Sequence, residues 1–222
     1  MSHLILGTLN DEDAGMLLLS RLEKLEQKQG PFEEVGIATL NAGRIRHDKQ
    51  QKNWRKELEN QPLLGPMGIA YARSKASQDE TTPYGVELCA NQELALVYHG
   101  LLDNPSEVRE NLLQLGYPYL KTDGELVHNS INRYLLIKGI EPLEALSIAL
   151  TRLNGRFAIM LLSADPDLLI VARKGCSLAF SLHEEAYYFC SDPQVLASLS
   201  KKIIQLEEGT PAVLRLMRHG SK

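Results

Sequence analysis

Arg73, His99, Gly100 and Asp123 are the residues of this chain whose types and positions best suit chemistry on a small polar ligand. Arg73 closes an apolar strand-like run, His99 and Gly100 lie at the end of a second one, and Asp123 opens a helix. An arginine offers a planar pair of donors that lysine does not reproduce, and an imidazole donates or accepts according to its tautomer. Three of them also have a plain structural use. Arg73 can pair with a carboxylate at a strand end, Asp123 can serve the helix start, and Gly100 can permit a tight turn. Cys89, Cys176 and Cys190 are far from one another in sequence and lack metal-ligand spacing, so they read as reduced thiols rather than a disulfide framework or zinc site. No metal or other cofactor is expected.

The elements that must position these residues follow from hydrophobic patterning. Leu4 to Leu9 reads as a buried strand, and Met16, Leu19, Leu22 and Leu25 recur at helical spacing between Asp13 and Lys28. Gln29-Gly30-Pro31 breaks that helix. Val35 to Leu40 and Arg44 to His47 then form a hairpin around Asn41-Ala42-Gly43, and Trp54 sits on a short helix. Gly68 to Ser74 and Leu94 to Tyr98 are apolar strands separated by a polar loop from Lys75 to Tyr84. Asn104-Pro105 starts a helix reaching about Leu115, and Thr122 with Glu125 forms a capping box for one reaching about Lys138. A further helix covers Glu141 to Leu153.

Short strands follow at Arg156 to Leu162, Leu168 to Val171, Leu178 to Ser181 and Ala186 to Cys190. A brief helix after Asp192 and strands at Ile203 to Leu206 and Ala212 to Leu216 finish the pattern. Strands at both ends with helices between them predict an α+β fold in which two packed sheets carry helices on their outer faces.

Composition narrows the setting. With 222 residues and 44% hydrophobic content the chain can bury a full core, and one domain over residues 1–222 is expected. Its longest apolar runs fall far short of the roughly 20 residues that a membrane span needs. Asp11, Glu12 and Asp13 stand where a signal peptide would be basic and then apolar, so a cytoplasmic protein without membrane association is expected. The net charge of -4 and the polar residues interleaved through Arg44 to Lys56 give no case for nucleic acid.

Several fragments in this order resemble the glutaminase domain of class II glutamine amidotransferases, most closely the amino-terminal domain of the glucosamine-6-phosphate synthases. Leu22-Glu23-Lys24-Leu25-Glu26 is similar to that family's first-helix signature, and Gly68-Ile69-Ala70-Tyr71-Ala72-Arg73 to its Gly-Ile-Ala-His-Thr-Arg strand. Val97-Tyr98-His99-Gly100-Leu101-Leu102-Asp103-Asn104 is similar to Val-His-Asn-Gly-Ile-Ile-Glu-Asn. Leu153-Asn154-Gly155, Ala172-Arg173-Lys174-Gly175, Cys190-Ser191-Asp192 and Leu206-Glu207-Glu208-Gly209 continue the likeness. It implies a four-layer α/β/β/α sandwich of the N-terminal-nucleophile hydrolase type. It also implies glutamine or a similar small amino acid as ligand, with Arg73 forking onto the α-carboxylate, Asp123 accepting from the α-ammonium, and the Gly100 backbone N–H facing the oxyanion.

The same resemblance exposes departures in the catalytic half. The family's nucleophile is an N-terminal cysteine whose own amine serves as base, whereas this chain begins Met1-Ser2-His3. Ser2 could fill that role only after removal of Met1. His99 stands where the family has its oxyanion asparagine, and losing one such donor typically costs roughly 10²-fold to 10³-fold in rate. The Trp-Ala-Thr-His-Gly and Arg-Gly-Tyr-Asp-Ser segments have become Ser74-Lys75-Ala76-Ser77-Gln78 and the unmatched Gln27 to Glu33. A degenerate domain that binds glutamine or a related α-amino acid without ordinary turnover is therefore expected. An active Ser2 amidohydrolase and a ligand-free structural or regulatory subunit are the alternatives. The sugar isomerase domains of the synthases have no counterpart in these 222 residues, so any ammonia acceptor would be a separate subunit.

Overall fold

Residues 3–10, 13–51, 53–74, 84–183 and 186–215 are described by a computed structural model. In chain order the elements are β1 (His3–Leu9), α1 (Ala14–Gln29), β2 (Phe32–Asn41), β3 (Arg44–Gln50), α2 (Trp54–Asn60), β4 (Met67–Ser74), β5 (Gly85–Ala90) and β6 (Leu94–Leu102). They continue with α3 (Pro105–Gln114), α4 (Asp123–Leu135), α5 (Pro142–Leu150), β7 (Gly155–Ala164), β8 (Asp167–Lys174), β9 (Ala179–His183), β10 (Ala186–Cys190), α6 (Pro193–Ala197), β11 (Ile204–Gln205) and β12 (Ala212–Leu214).

Strand alternation builds two sheets with three apolar layers around them. One sheet runs β11-β9-β10-β1-β4-β2-β3, and the other runs β12-β8-β7-β6-β5. In β1, Leu4 and Leu6 pack with Leu18 and Leu22 of α1 and with Trp54 of α2, while Ile5 joins Ile69, Val97 and Met160 between the sheets. In β6, Leu96 and Tyr98 pack with Leu126 and Ile131 of α4, while Ala95 and Val97 face the first sheet. The order from one side to the other is helices, sheet, sheet, helices. No helix among the described residues is long and apolar enough to cross a membrane.

Local chemistry sets the helix starts. The Asp13 side chain accepts from the backbone N–H groups of Gly15 and Met16 at α1. Thr122 and Glu125 form the expected reciprocal capping box at α4, and Pro105 occupies the first turn of α3.

The structure adds one strand and corrects two expectations. Gly85–Ala90, between the polar loop and Leu94, is strand β5 at the edge of the second sheet. The second apolar strand runs on to Leu102, so Gly100 lies inside β6 opposite Gly85 and Phe157 rather than in a tight turn. A Cβ at Gly100 would fall 2.3 Å from the Arg156 carbonyl oxygen and 2.6 Å from Phe157 Cα, which is why glycine is needed there. The helices expected to end at Lys138 and Leu153 stop earlier, at Leu135 and Leu150. Most of the polar loop, residues 75–83, and the end of the last expected strand lie outside the described residues.

Candidate functional site

A cleft of about 750 Å³ opens where one end of the first sheet meets the second sheet and the start of α4, lined among others by His3, Glu34, Arg73, Tyr84, Glu87 and Asp123. Antiparallel register assembles its first wall. Strand β4 lies between β1 and β2, and Arg73 is the partner of His3 on one side and of Glu34 on the other. Alternation along β4 puts Arg73 on the same face as Ile69 and Tyr71, which pack between the sheets.

Arg73 does not stand free. Its Nη2 is 3.2 Å from Glu34 Oε2, so the structural pairing weighed from sequence is present. Its Nε is buried and has no hydrogen-bond partner. The guanidinium is thus engaged by Glu34 through Nη2, while its buried Nε has no partner. The second Glu34 oxygen accepts from the Tyr71 hydroxyl. Burial and this carboxylate both raise the Tyr71 phenol above its ordinary range, keeping it a neutral donor. Gly36 makes the contact feasible, because a Cβ there would lie 2.1 Å from Tyr71 Cε1. Lys49 stands over the same ring, 5.9 Å from its centroid.

Asp123 forms part of the opposite wall. Its Oδ2 accepts from the backbone N–H of Leu102 at 2.8 Å, tying the first residue of α4 to the end of β6. Glu87, on the unexpected strand β5, braces the same corner. Its carboxylate accepts from the Thr122 hydroxyl and the Gly124 backbone N–H, both at 2.7 Å. A carboxylate at a helix start is favoured by the open N–H groups there. Sequence reasoning did not single out Glu34 or Glu87. Gly36 inside a strand was the available signal for a close approach beside Glu34.

His99 and Gly100, on β6, are not among the residues that line the cleft, but His99 lies near two that are. Its ring lies 6.4 Å from that of His3 and 6.1 Å from that of Tyr84, centroid to centroid. Burial, then the neighbouring His3, pushes His99 down to about 4, so its imidazole is neutral at pH 7. His3 is lowered as well, by burial and by Arg73. His99 Nδ1 is buried without a partner. The donor open to it at neutral pH is a single tautomeric N–H, not a protonated ring.

The cysteines are elsewhere. Burial raises all three thiols, with the Glu87 charge adding to the effect at Cys89, and pushes Cys190 up to about 12. None of the three is among the residues lining the cleft. Ser2 lies outside the described residues.

Comparison with known proteins agrees with this architecture. The glutamine amidotransferase domain family matches residues 82–198, just over half of the chain, and the protein belongs to that family. It is 34% identical over 215 residues to glutamine–fructose-6-phosphate aminotransferase (isomerizing) of Bradyrhizobium diazoefficiens, and 32% identical over 215 residues to that of Zymomonas mobilis. Each alignment covers 95% of this chain and 35% of the relative, so the chain spans about a third of the length of these relatives. The structure of glutamine phosphoribosylpyrophosphate amidotransferase from B. subtilis superposes with a TM-score of 0.74 at 19% identity, covering 95% of this chain and 46% of that one. The fold is the α/β/β/α sandwich of N-terminal-nucleophile hydrolase type that the resemblance implied.

Proposed function

We propose that this chain is a cytoplasmic, degenerate glutaminase-like domain over residues 1–222 that binds glutamine or a closely related α-amino acid without ordinary turnover. Arg73 receives the carboxyl group of the ligand, Asp123 its ammonium, and the Gly100 backbone N–H lies beside the side-chain amide. The observation that carries the reading is that Arg73 and Asp123, far apart in sequence, line one cleft.

Weak catalysis is supported by chemistry rather than by the cleft's shape. An activated nucleophile needs a lowered pKa or an adjacent base, whereas the three thiols are raised and none lines the cleft. The neutral His99 is a poorer oxyanion partner than a fixed amide donor. Any acceptor for ammonia lies outside these 222 residues, and no nucleic acid or membrane enters the account.

Calorimetric titration with L-glutamine tests the binding half. Saturable heat in the unaltered protein, lost in Arg73→Ala and in Asp123→Ala, is expected. Equal heat in all three proteins contradicts the assignment.

A further inference from the structure

We propose that Glu34 makes this cleft selective for amino-acid derivatives whose α-carboxyl group is neutral, an α-carboxamide above all, over free α-amino acids. The inference rests on the amino-acid reading of the cleft and names the class of ligand within it. A free α-carboxylate is best held by two parallel donors of one guanidinium. On Arg73, Nη2 already faces Glu34 Oε2 at 3.2 Å, so a carboxylate forking onto the guanidinium competes with Glu34 for it.

A ligand carboxylate on Arg73 would bring a second negative charge beside Glu34. A carboxamide oxygen needs only one donor and brings no charge. Displacing Glu34 instead would break its hydrogen bond with Tyr71, whose ring is fixed against Gly36. The remaining walls point the same way. Among the described lining residues, Glu33, Glu34, Glu87 and Asp123 face Lys49, Arg73 and Lys121, so a ligand bearing a net positive charge is better matched than a zwitterion. The carboxylate at Glu34 thus acts by repelling the competitor as much as by admitting the ligand.

The test compares L-glutaminamide with L-glutamine by calorimetry in the unaltered protein and in Glu34→Gln, with Tyr71→Phe as a second variant that loosens Glu34. The unaltered protein should bind the amide at least about tenfold more tightly, a difference of about 1.4 kcal/mol. Glu34→Gln should narrow or reverse that ratio, and Tyr71→Phe should narrow it. If glutamine binds at least as tightly as the amide, or if the ratio is unchanged in both variants, the proposal is overturned while the amino-acid reading stands. If neither compound binds the unaltered protein, both fall together.

Discussion

Glu34 and Arg73 face each other across paired strands with Oε2 and Nη2 3.2 Å apart, and the same carboxylate also holds the Tyr71 hydroxyl. The acid is therefore fixed from two sides, while the buried Nε of Arg73 has no partner. With the Arg73 side chain 39% exposed, the ion pair itself adds little stability. Its consequence is for what the cleft admits.

Tyr71→Phe should destabilise the protein by about 1–2 kcal/mol, because it removes a hydrogen bond to a charged acceptor beneath a fully buried ring. Urea unfolding measures this directly. An unchanged midpoint would show that the Tyr71–Glu34 contact contributes nothing net.

Gly100→Ala should be far more damaging, by about 3 kcal/mol or more. Its Cβ would meet backbone atoms of Arg156 and Phe157 that neighbouring ladder pairs hold in place, and the φ of 154° adds strain for any other residue. Soluble expression with an unaltered unfolding midpoint would contradict the packing described for β6.

Acidification should weaken the fold between about pH 6.5 and pH 4. His99 has its folded value depressed to about 4, so within that window the unfolded chain binds the extra proton and the folded chain does not. Stability from this group is present above the unfolded value and is lost as pH falls towards the folded one. His3, also lowered, acts in the same direction. Urea midpoints at pH 7 and pH 5 should differ less in His99→Gln than in the unaltered protein.

Glu87→Ala should cost about 1–3 kcal/mol, since it strips an acceptor from the Thr122 hydroxyl and the Gly124 N–H at the start of α4. Because Asp123 is the first residue of that helix, ligand affinity should fall with it. Unfolding and glutaminamide titration of the same variant separate the two effects.

The outline of this fold was legible because alternation and capping are local. Leu4 to Leu9, Gly68 to Ser74 and the Thr122–Glu125 box could each be read from a few consecutive residues. Strand β5 was not, because Glu87 and Cys89 alternate with Val86 and Leu88 in a short edge strand just after a polar loop. Its polar positions are explained only by α4 lying across them. Arg73 and Asp123 were found through their motifs, whereas Glu34 and Glu87 belong to no motif. They meet Arg73 and Gly124 only through strand register and layer packing, which a linear pattern does not contain. The strand leading to His99 was legible only as far as Tyr98, and the neutrality of His99 follows from burial and from His3 across the sheets.

The most direct test of the central claim is to titrate the untagged protein with L-glutamine while following ammonia in the same sample. Saturable heat without protein-dependent ammonia is the predicted result. Ammonia release that disappears in Ser2→Ala would contradict the account and make the chain an N-terminal serine amidohydrolase.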